Sequence, residues 1–96
     1  MNITKDLSGT ALTLKVSGRL DTLTAPALEQ EIKAGCLGIT ALTLDFQELQ
    51  YISSAGLRVL LGAHKAMKGS FSVKNVNEAV MEIFDVTGFS DILNIV

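Results

Sequence analysis

Between Ala41 and Met67 the hydrophobic repeat of the chain changes period, and that change constrains the fold more than any other feature of the sequence. In ALTLDF (41–46), Leu42, Leu44 and Phe46 recur every second residue, the period of a strand, and suit a central position in a sheet. From Ser54 onward the spacing lengthens. At about 100° per residue, Leu57, Leu60, Ala63 and Met67 fall on one arc of a helix that should run to about Lys68 and stop at Gly69. A strand that feeds a helix leading to the next strand builds a parallel pair with a helical crossover.

The flanking segments extend the pattern. Ile3, Lys5 and Leu7, then Leu12, Leu14 and Val16, read as two half-buried strands, with Ser8-Gly9 as the hairpin turn between them. LDTLTAP follows as a loop. Pro26 suits the first turn of a helix that should run to about Lys33 and end in AGCLG. SFSVKNV (70–76) reads as a strand. Asn77 can cap a helix from Glu78 to about Val86, with Gly88 as its terminator, and DILNIV can add a short last strand. The order β-β-α-β-α-β-α, with an optional final β, predicts an α/β fold on a mixed sheet.

Length and composition set the function classes. The 96 residues predict one small domain, and 48% hydrophobic against 19% charged residues argues for a folded core. With 5% aromatic residues and no Trp, that core must be aliphatic. A net charge of −2 gives no reason to expect nucleic acid or an anionic membrane. Cys36 is the one cysteine, so no disulfide framework or thiolate metal site is expected. No segment has the length of a membrane span or the pattern of a signal peptide, so the expectation is a cytoplasmic protein without membrane insertion.

The chemistry concentrates in YISSAGLRVLLGAHK (51–65), where a strand hands over to a helix. Serines and a glycine at a helix start can cap it, hold a phosphate or present a reactive hydroxyl. Ser53 or Ser54 could be the cap, and Gly56 in the first turn would leave the backbone uncrowded for an approaching protein. Ser54, Arg58, Leu61 and Lys65, at i, i+4, i+7 and i+11, line up along one face of the helix. On periodicity alone this is an ordinary solvated face. An enzyme would need a base within about 3 Å of a serine nucleophile. His64, the one histidine, lies ten helical residues from Ser54, about 15 Å along the axis, and cannot serve. Asp45 could approach Ser54, but reads equally as a loop-capping carboxylate. SGRLDTLTAP lacks the glycines and lysine of a P-loop, and neither a nucleotide site nor any cofactor is indicated.

Three segments carry a resemblance. GRLDTLTAPALE (18–29), LTLDFQELQYISSAGLRVLLGAHK (42–65) and FDVTGFSDIL (84–93) resemble, in order and without large gaps, the STAS domain, and among its members the small anti-sigma factor antagonists of bacteria. The resemblance implies one STAS domain over residues 1–96, with a mixed sheet of four to five strands and helices packed mainly on one side. It also implies a binding module that is not an enzyme and controls sigma-factor-dependent transcription. Such a protein, unphosphorylated, sequesters an anti-sigma factor that is also a serine kinase. Phosphorylated by that kinase it lets go, and a phosphatase resets it. The family's phosphorylated hydroxyl, two residues before the Gly of a Gly-Leu pair, matches Ser54, with Ser53 as second choice, since Gly56 and Leu57 match that pair. The aspartate that precedes it in the family motif is Ser53 here. Asp21 matches the family's loop aspartate, with Thr22 and Thr24 around it. The implied docking face comprises Asp21, Thr22, Thr24, Ser53, Ser54, Gly56, Arg58, Leu61 and Lys65, on a monomer. The alternative within the family is a STAS subunit of a membrane lipid-transport complex that docks on its ATPase.

Overall fold

The computed structural model of the chain describes residues 1–35, 37–68 and 70–96. Two strands open it: β1 (Asn2–Ser8) and β2 (Ala11–Leu20) pair antiparallel, with Ser8 opposite Ala11. The hairpin loop is therefore Gly9-Thr10, one residue later than the alternation of Leu7 and Leu12 suggests. The first helix, α1 (Ala25–Gly35), crosses to β3 (Ala41–Asp45), which lies parallel to β2 with Leu12 opposite Leu42 and Leu14 opposite Leu44. A short strand, β4 (Leu49–Ile52), then pairs parallel with the far end of β2. Helix α2 (Ser54–Ala66) leads to β5 (Phe71–Lys74), parallel to β3, and α3 (Glu78–Thr87) leads through a 3-10 turn at Phe89–Asp91 to β6 (Asn94–Ile95), parallel to β5.

The expected mixed α/β architecture holds, with one correction: among the described residues the sheet has six strands, in the order β1-β2-β3-β5-β6 with β4 beside β2. The strand missing from the expectation is β4. Its two buried residues, Leu49 and Ile52, are separated by two exposed ones, so it shows no period of two. The cause is an irregular register: Gly18 pairs with Leu49 but Arg19 pairs with Tyr51. Gly18 adopts φ +90°, a region open to glycine, and its N–H donates to the Glu48 carbonyl at 3.0 Å.

Helix boundaries follow their chemistry. Asn77 sits at the N-cap of α3 and its side-chain oxygen accepts from the Val80 N–H at 2.9 Å; Gly88 closes that helix in the left-handed region at φ +81°. The α2 helix ends at Ala66, with Met67 and Lys68 in a turn. Gly69, the expected stop, and Cys36 lie outside the described residues.

The sheet is two-faced. Leu14, Val16, Leu42, Leu44, Phe71 and Val73 point inward and join Leu28, Leu60, Val80 and Phe84 of the helices in one core. The alternate residues make a polar face, on which Thr13 lies opposite Thr43 and Thr43 opposite Ser72, with 3.2 Å between the Thr43 and Ser72 hydroxyls. The predicted arc of α2 faces this core: Leu57, Leu60 and Ala63 are buried, and Met67 packs against them.

Gly56 is buried at the closest approach of α2 to the sheet. A Cβ there would stand 2.8 Å from Ile52 Cγ1 and 2.8 Å from Leu20 Cγ, whereas one at exposed Gly62 would meet nothing within 4 Å. Overpacking costs about 1–3 kcal/mol, and the better helix propensity of Ala returns at most about 1 kcal/mol. Gly56→Ala should therefore lower stability in a denaturant melt, and Gly62→Ala should raise it by about 0.5–1 kcal/mol. Equal effects at the two glycines would refute the packing role of Gly56.

Candidate functional site

Two neighbouring parallel strands bring the candidate residues to one edge of the sheet. Leu20, the last residue of β2, lies opposite Ile52, the last of β4, and the Ser53 N–H donates to the Leu20 carbonyl at 2.9 Å. The Asp21 loop and the start of α2 thus leave the sheet side by side. This is the edge at which parallel α/β sheets commonly hold ligands.

At the start of α2 the two serines differ. Ser53 occupies the N-cap with extended backbone (φ −102°, ψ 177°), and its carbonyl accepts from the Leu57 N–H at 2.9 Å. Its hydroxyl makes no capping bond, and Oγ is buried without a partner. Ser54 is the first helical residue and is exposed. The expectation that Ser54 could cap the helix is corrected: it lies one position past the cap. The expectation for Gly56 is also corrected. It turns inward onto Leu20 and Ile52, so its missing side chain lets the helix approach the sheet and opens no path for a partner.

The Asp21 loop is a reciprocal cap on α1. Asp21 Oδ1 accepts from the N–H groups of Leu23 (3.0 Å) and Thr24 (3.2 Å), while Thr24 Oγ1 accepts from the Asp21 N–H (2.8 Å) and donates to the Arg19 carbonyl (2.8 Å). The Ala25 N–H donates to the Asp21 carbonyl at 2.8 Å. This is the geometry of a capping box with Thr as the returning residue. Desolvation alone would raise the Asp21 carboxyl. The N–H groups of Thr24 and Leu23, the Thr24 hydroxyl and the Arg19 charge outweigh it and hold the carboxyl below its ordinary 3.8. Thr22 is exposed and Thr24 half-buried beneath it.

Three residues at this edge escaped the sequence reading. Leu23, held out by the locked loop, is 89% exposed. Arg19 places its guanidinium 4.4 Å from the centroid of the Tyr51 ring, and its Nε 3.8 Å from Asp21 Oδ2. The signal for Leu23 was present in LDTLTAP: a Leu flanked by Thr22 and Thr24, one position past the Asp and Thr that match the motif. Arg19 and Tyr51 required the register of β2 on β4.

Along α2, Arg58 and Lys65 are exposed, and Leu61 is half-buried outside the core cluster. A cleft of ≈160 Å³ separates the starts of α1 and α2, lined by Thr22, Ala25, Pro26, Glu29, Ala55, Arg58 and Val59. His64 lies in the last turn of the same unbroken helix, far from Ser54. Asp45 takes the capping role: its Oδ1 accepts from the Gln47 N–H (3.0 Å) and the Asn75 amide (2.9 Å), at the opposite end of β4 from Ser53.

Comparison with known proteins gives a consistent picture. The sequence profile of a family described as "Mlab, STAS domain" matches residues 3–95. The anti-sigma-B factor antagonist of Bacillus subtilis (strain 168) is 29% identical over 99% of this chain and 92% of its own length. That of Listeria monocytogenes is 31% identical over 83% of this chain and 74% of its own. The crystal structure of an anti-sigma factor antagonist from Mycobacterium paratuberculosis superposes with a TM-score of 0.89 at 27% identity, covering 98% of this chain and 83% of that one. The fold is thus shared with proteins of that description.

The lowered Asp21 carboxyl sets a pH dependence. A depressed folded value contributes stability that is present above the unfolded value, near 3.8, and is lost as pH falls through the folded one. Asp21→Asn keeps a capping oxygen but no charge. The variant should be less stable than the parent at neutral pH, and the gap should close as pH drops below about 3.8. Parallel thermal melts across that window check this, and a gap that stays constant would show that the carboxylate charge contributes nothing.

Proposed function

We propose that this chain, which belongs to the STAS domain family, is an anti-sigma factor antagonist: unphosphorylated it binds an anti-sigma factor with serine kinase activity, and phosphorylation of Ser54 releases it. A phosphatase acting on the phosphorylated form resets the switch. In this reading the protein is a regulatory binding module of the cytoplasm, made of one STAS domain. The observation that carries the reading is the contrast between the two serines. Ser54 is exposed at the amino end of α2, beside the Asp21 loop, while the Ser53 hydroxyl is buried next to it. A kinase can therefore reach Ser54 Oγ without unfolding the helix, whereas Ser53 would have to leave its packed position. In the transfer Ser54 Oγ takes the γ-phosphoryl group of the partner's ATP, and ADP and the hydroxyl proton leave.

Electrostatics supports the sign of the switch. Phosphate adds about −1.5 to −2 charges. At roughly 6 Å from one partner carboxylate, with an effective dielectric of about 20, the repulsion is on the order of 5 kcal/mol before screening by salt. A hundredfold loss of affinity needs only about 2.8 kcal/mol. The first-turn amides and the helix dipole tolerate the new charge on the chain's own side.

The proposed docking face combines Asp21, Thr22 and Thr24, the Ser53–Ser54 helix start and the Arg58–Leu61–Lys65 stripe, and Leu23 joins it. Asp21 and Thr24 act in part through the loop they lock. Leu23 and Leu61 are the apolar anchors, and Arg58 and Lys65 the steering charges. These same apolar side chains would also serve a STAS subunit docking on a lipid-transport ATPase, which needs no phosphate. Affinity capture from the native host distinguishes the two: a kinase-type anti-sigma factor supports the switch, and a transport ATPase supports the second reading.

Incubation with the cognate kinase and ATP should add one phosphate, and peptide mapping should find it on Ser54. Ser54→Ala should remain unmodified and bound, and Ser54→Asp should bind more weakly. Phosphate on Ser53, with Ser54→Ala modified normally, would overturn the assignment.

For the docking face, Leu23→Ala and Leu61→Ala should each weaken binding more than Lys65→Ala. Loss of a central anchor typically costs 2 kcal/mol or more, while rim charges mainly alter association rate and its salt dependence. Calorimetry and thermal melting on the same variants check this. A leucine whose loss lowers melting but leaves affinity unchanged belongs to the fold and not to the interface.

A further inference from the structure

We propose that the phosphate on Ser54 is captured within the molecule by Arg58, one turn further along α2, so that phosphorylation adds an anion to the docking face and also withdraws a cation from it. The inference rests on the phosphorylation of Ser54 proposed above. Ser54 and Arg58 stand at i and i+4 of an unbroken helix, and both are exposed. Side chains at this spacing are neighbours, with Cβ atoms about 5–6 Å apart, and an acid placed before a base is the favourable order. An arginine fork meets phosphate oxygens through two parallel N–H···O bonds.

The other cations that could compete are committed or out of reach. Arg19 lies against Asp21 and the Tyr51 ring. Lys15 pairs with Glu48 at 3.4 Å and Lys33 with Glu29 at 3.5 Å. Lys65 lies eleven residues from Ser54, about 16 Å along the axis. Among the described residues, Arg58 makes no ion pair. Glu29, the carboxylate that lines the same cleft, is taken by Lys33. Arg58 therefore keeps an open guanidinium beside the one hydroxyl whose modification would call on it. Before phosphorylation the same guanidinium is free to meet carboxylates of the partner, and afterwards it is neutralised by its own chain.

The test uses the full chain with phosphoserine installed at position 54 by genetic-code expansion, as the parent, Arg58→Gln and Arg58→Lys. The phosphate's second pKa, near 6 for a phosphoserine, is read by phosphorus NMR titration. It should lie about 0.4 pH unit lower in the parent than in Arg58→Gln, the size of an i,i+4 ion pair, with Arg58→Lys between them. The difference should shrink at about 1 M salt. Equal values in the parent and Arg58→Gln overturn the capture. In binding to the anti-sigma partner, phosphorylation should weaken the parent about twofold more than it weakens Arg58→Gln, the size of the pair read by the titration. Equal fold-losses would show that Arg58 takes no part in release. If phosphorylation leaves the parent's affinity unchanged, the proposed switch itself fails, while the titration still decides whether Arg58 holds the phosphate.

Discussion

The 2.9 Å hydrogen bond from the Ser53 N–H to the Leu20 carbonyl joins the ends of β2 and β4, and the candidate site depends on that junction. It continues a parallel pairing that β2 could not make as a regular strand. The first part of β2 pairs with β3, and its last part pairs with β4 from Gly18 onward, with the register broken between Gly18 and Arg19. The left-handed Gly18 is thus coupled to a site that begins two residues later. A side chain at φ +90° would strain the bend and shift Leu20 relative to Ile52. The same junction explains Gly56. When two strand ends are drawn together beneath the first turn of α2, Leu20 and Ile52 fill the space in which a Cβ would sit.

Residues whose neighbours lie close along the chain were legible in the sequence. The strand and helix periods of β3 and α2, the Asn77 cap and the Gly88 terminator follow from local geometry, and the structure keeps them. Residues whose role depends on a distant strand were not. The two buried residues of β4 carry no period of two because its register on β2 is broken, so no window of sequence could disclose it. Gly56 reads in the sequence as open backbone because it has no side chain to crowd an approaching group; the neighbours that fill its place are 36 and four residues away. The exposed side of α2 was legible as a stripe. The half-burial of Leu61 depends on neighbours that the helical phase alone does not reveal.

The proposed switch needs a site that can change charge without changing shape. Asp21 and Thr24 lock their loop from both directions, and Leu23 is presented by that lock at little further cost in conformational entropy. Ser54 begins a helix whose inner face is in the core, so a group added to its hydroxyl meets a fixed surface. In the proposed switch, a phosphate on Ser54 changes the potential of this edge and engages Arg58, while the loop and the helix that present them keep their own hydrogen bonds.

The open face of the sheet offers a contrast with the loop edge proposed as the docking face. On that face Lys15 lies opposite Asp45 and Asp45 opposite Lys74, so the middle of the row alternates in sign. Partial burial would raise the Asp45 carboxyl, but the Asn75 amide, the Gln47 N–H and the two lysines hold it below its ordinary value. Thr43 and Ser72 answer each other beside it. Asp45 is held by Gln47 and Asn75, the Thr43 and Ser72 hydroxyls bond each other, and Lys15 pairs with Glu48, so a partner there would compete with those contacts. At the end of β2 and β4 the balance differs: Leu23 has no apolar neighbour to cover it, Ser54 is exposed, and Arg58 makes no ion pair among the described residues. Docking at that end, as proposed, would gain contacts without first losing comparable ones.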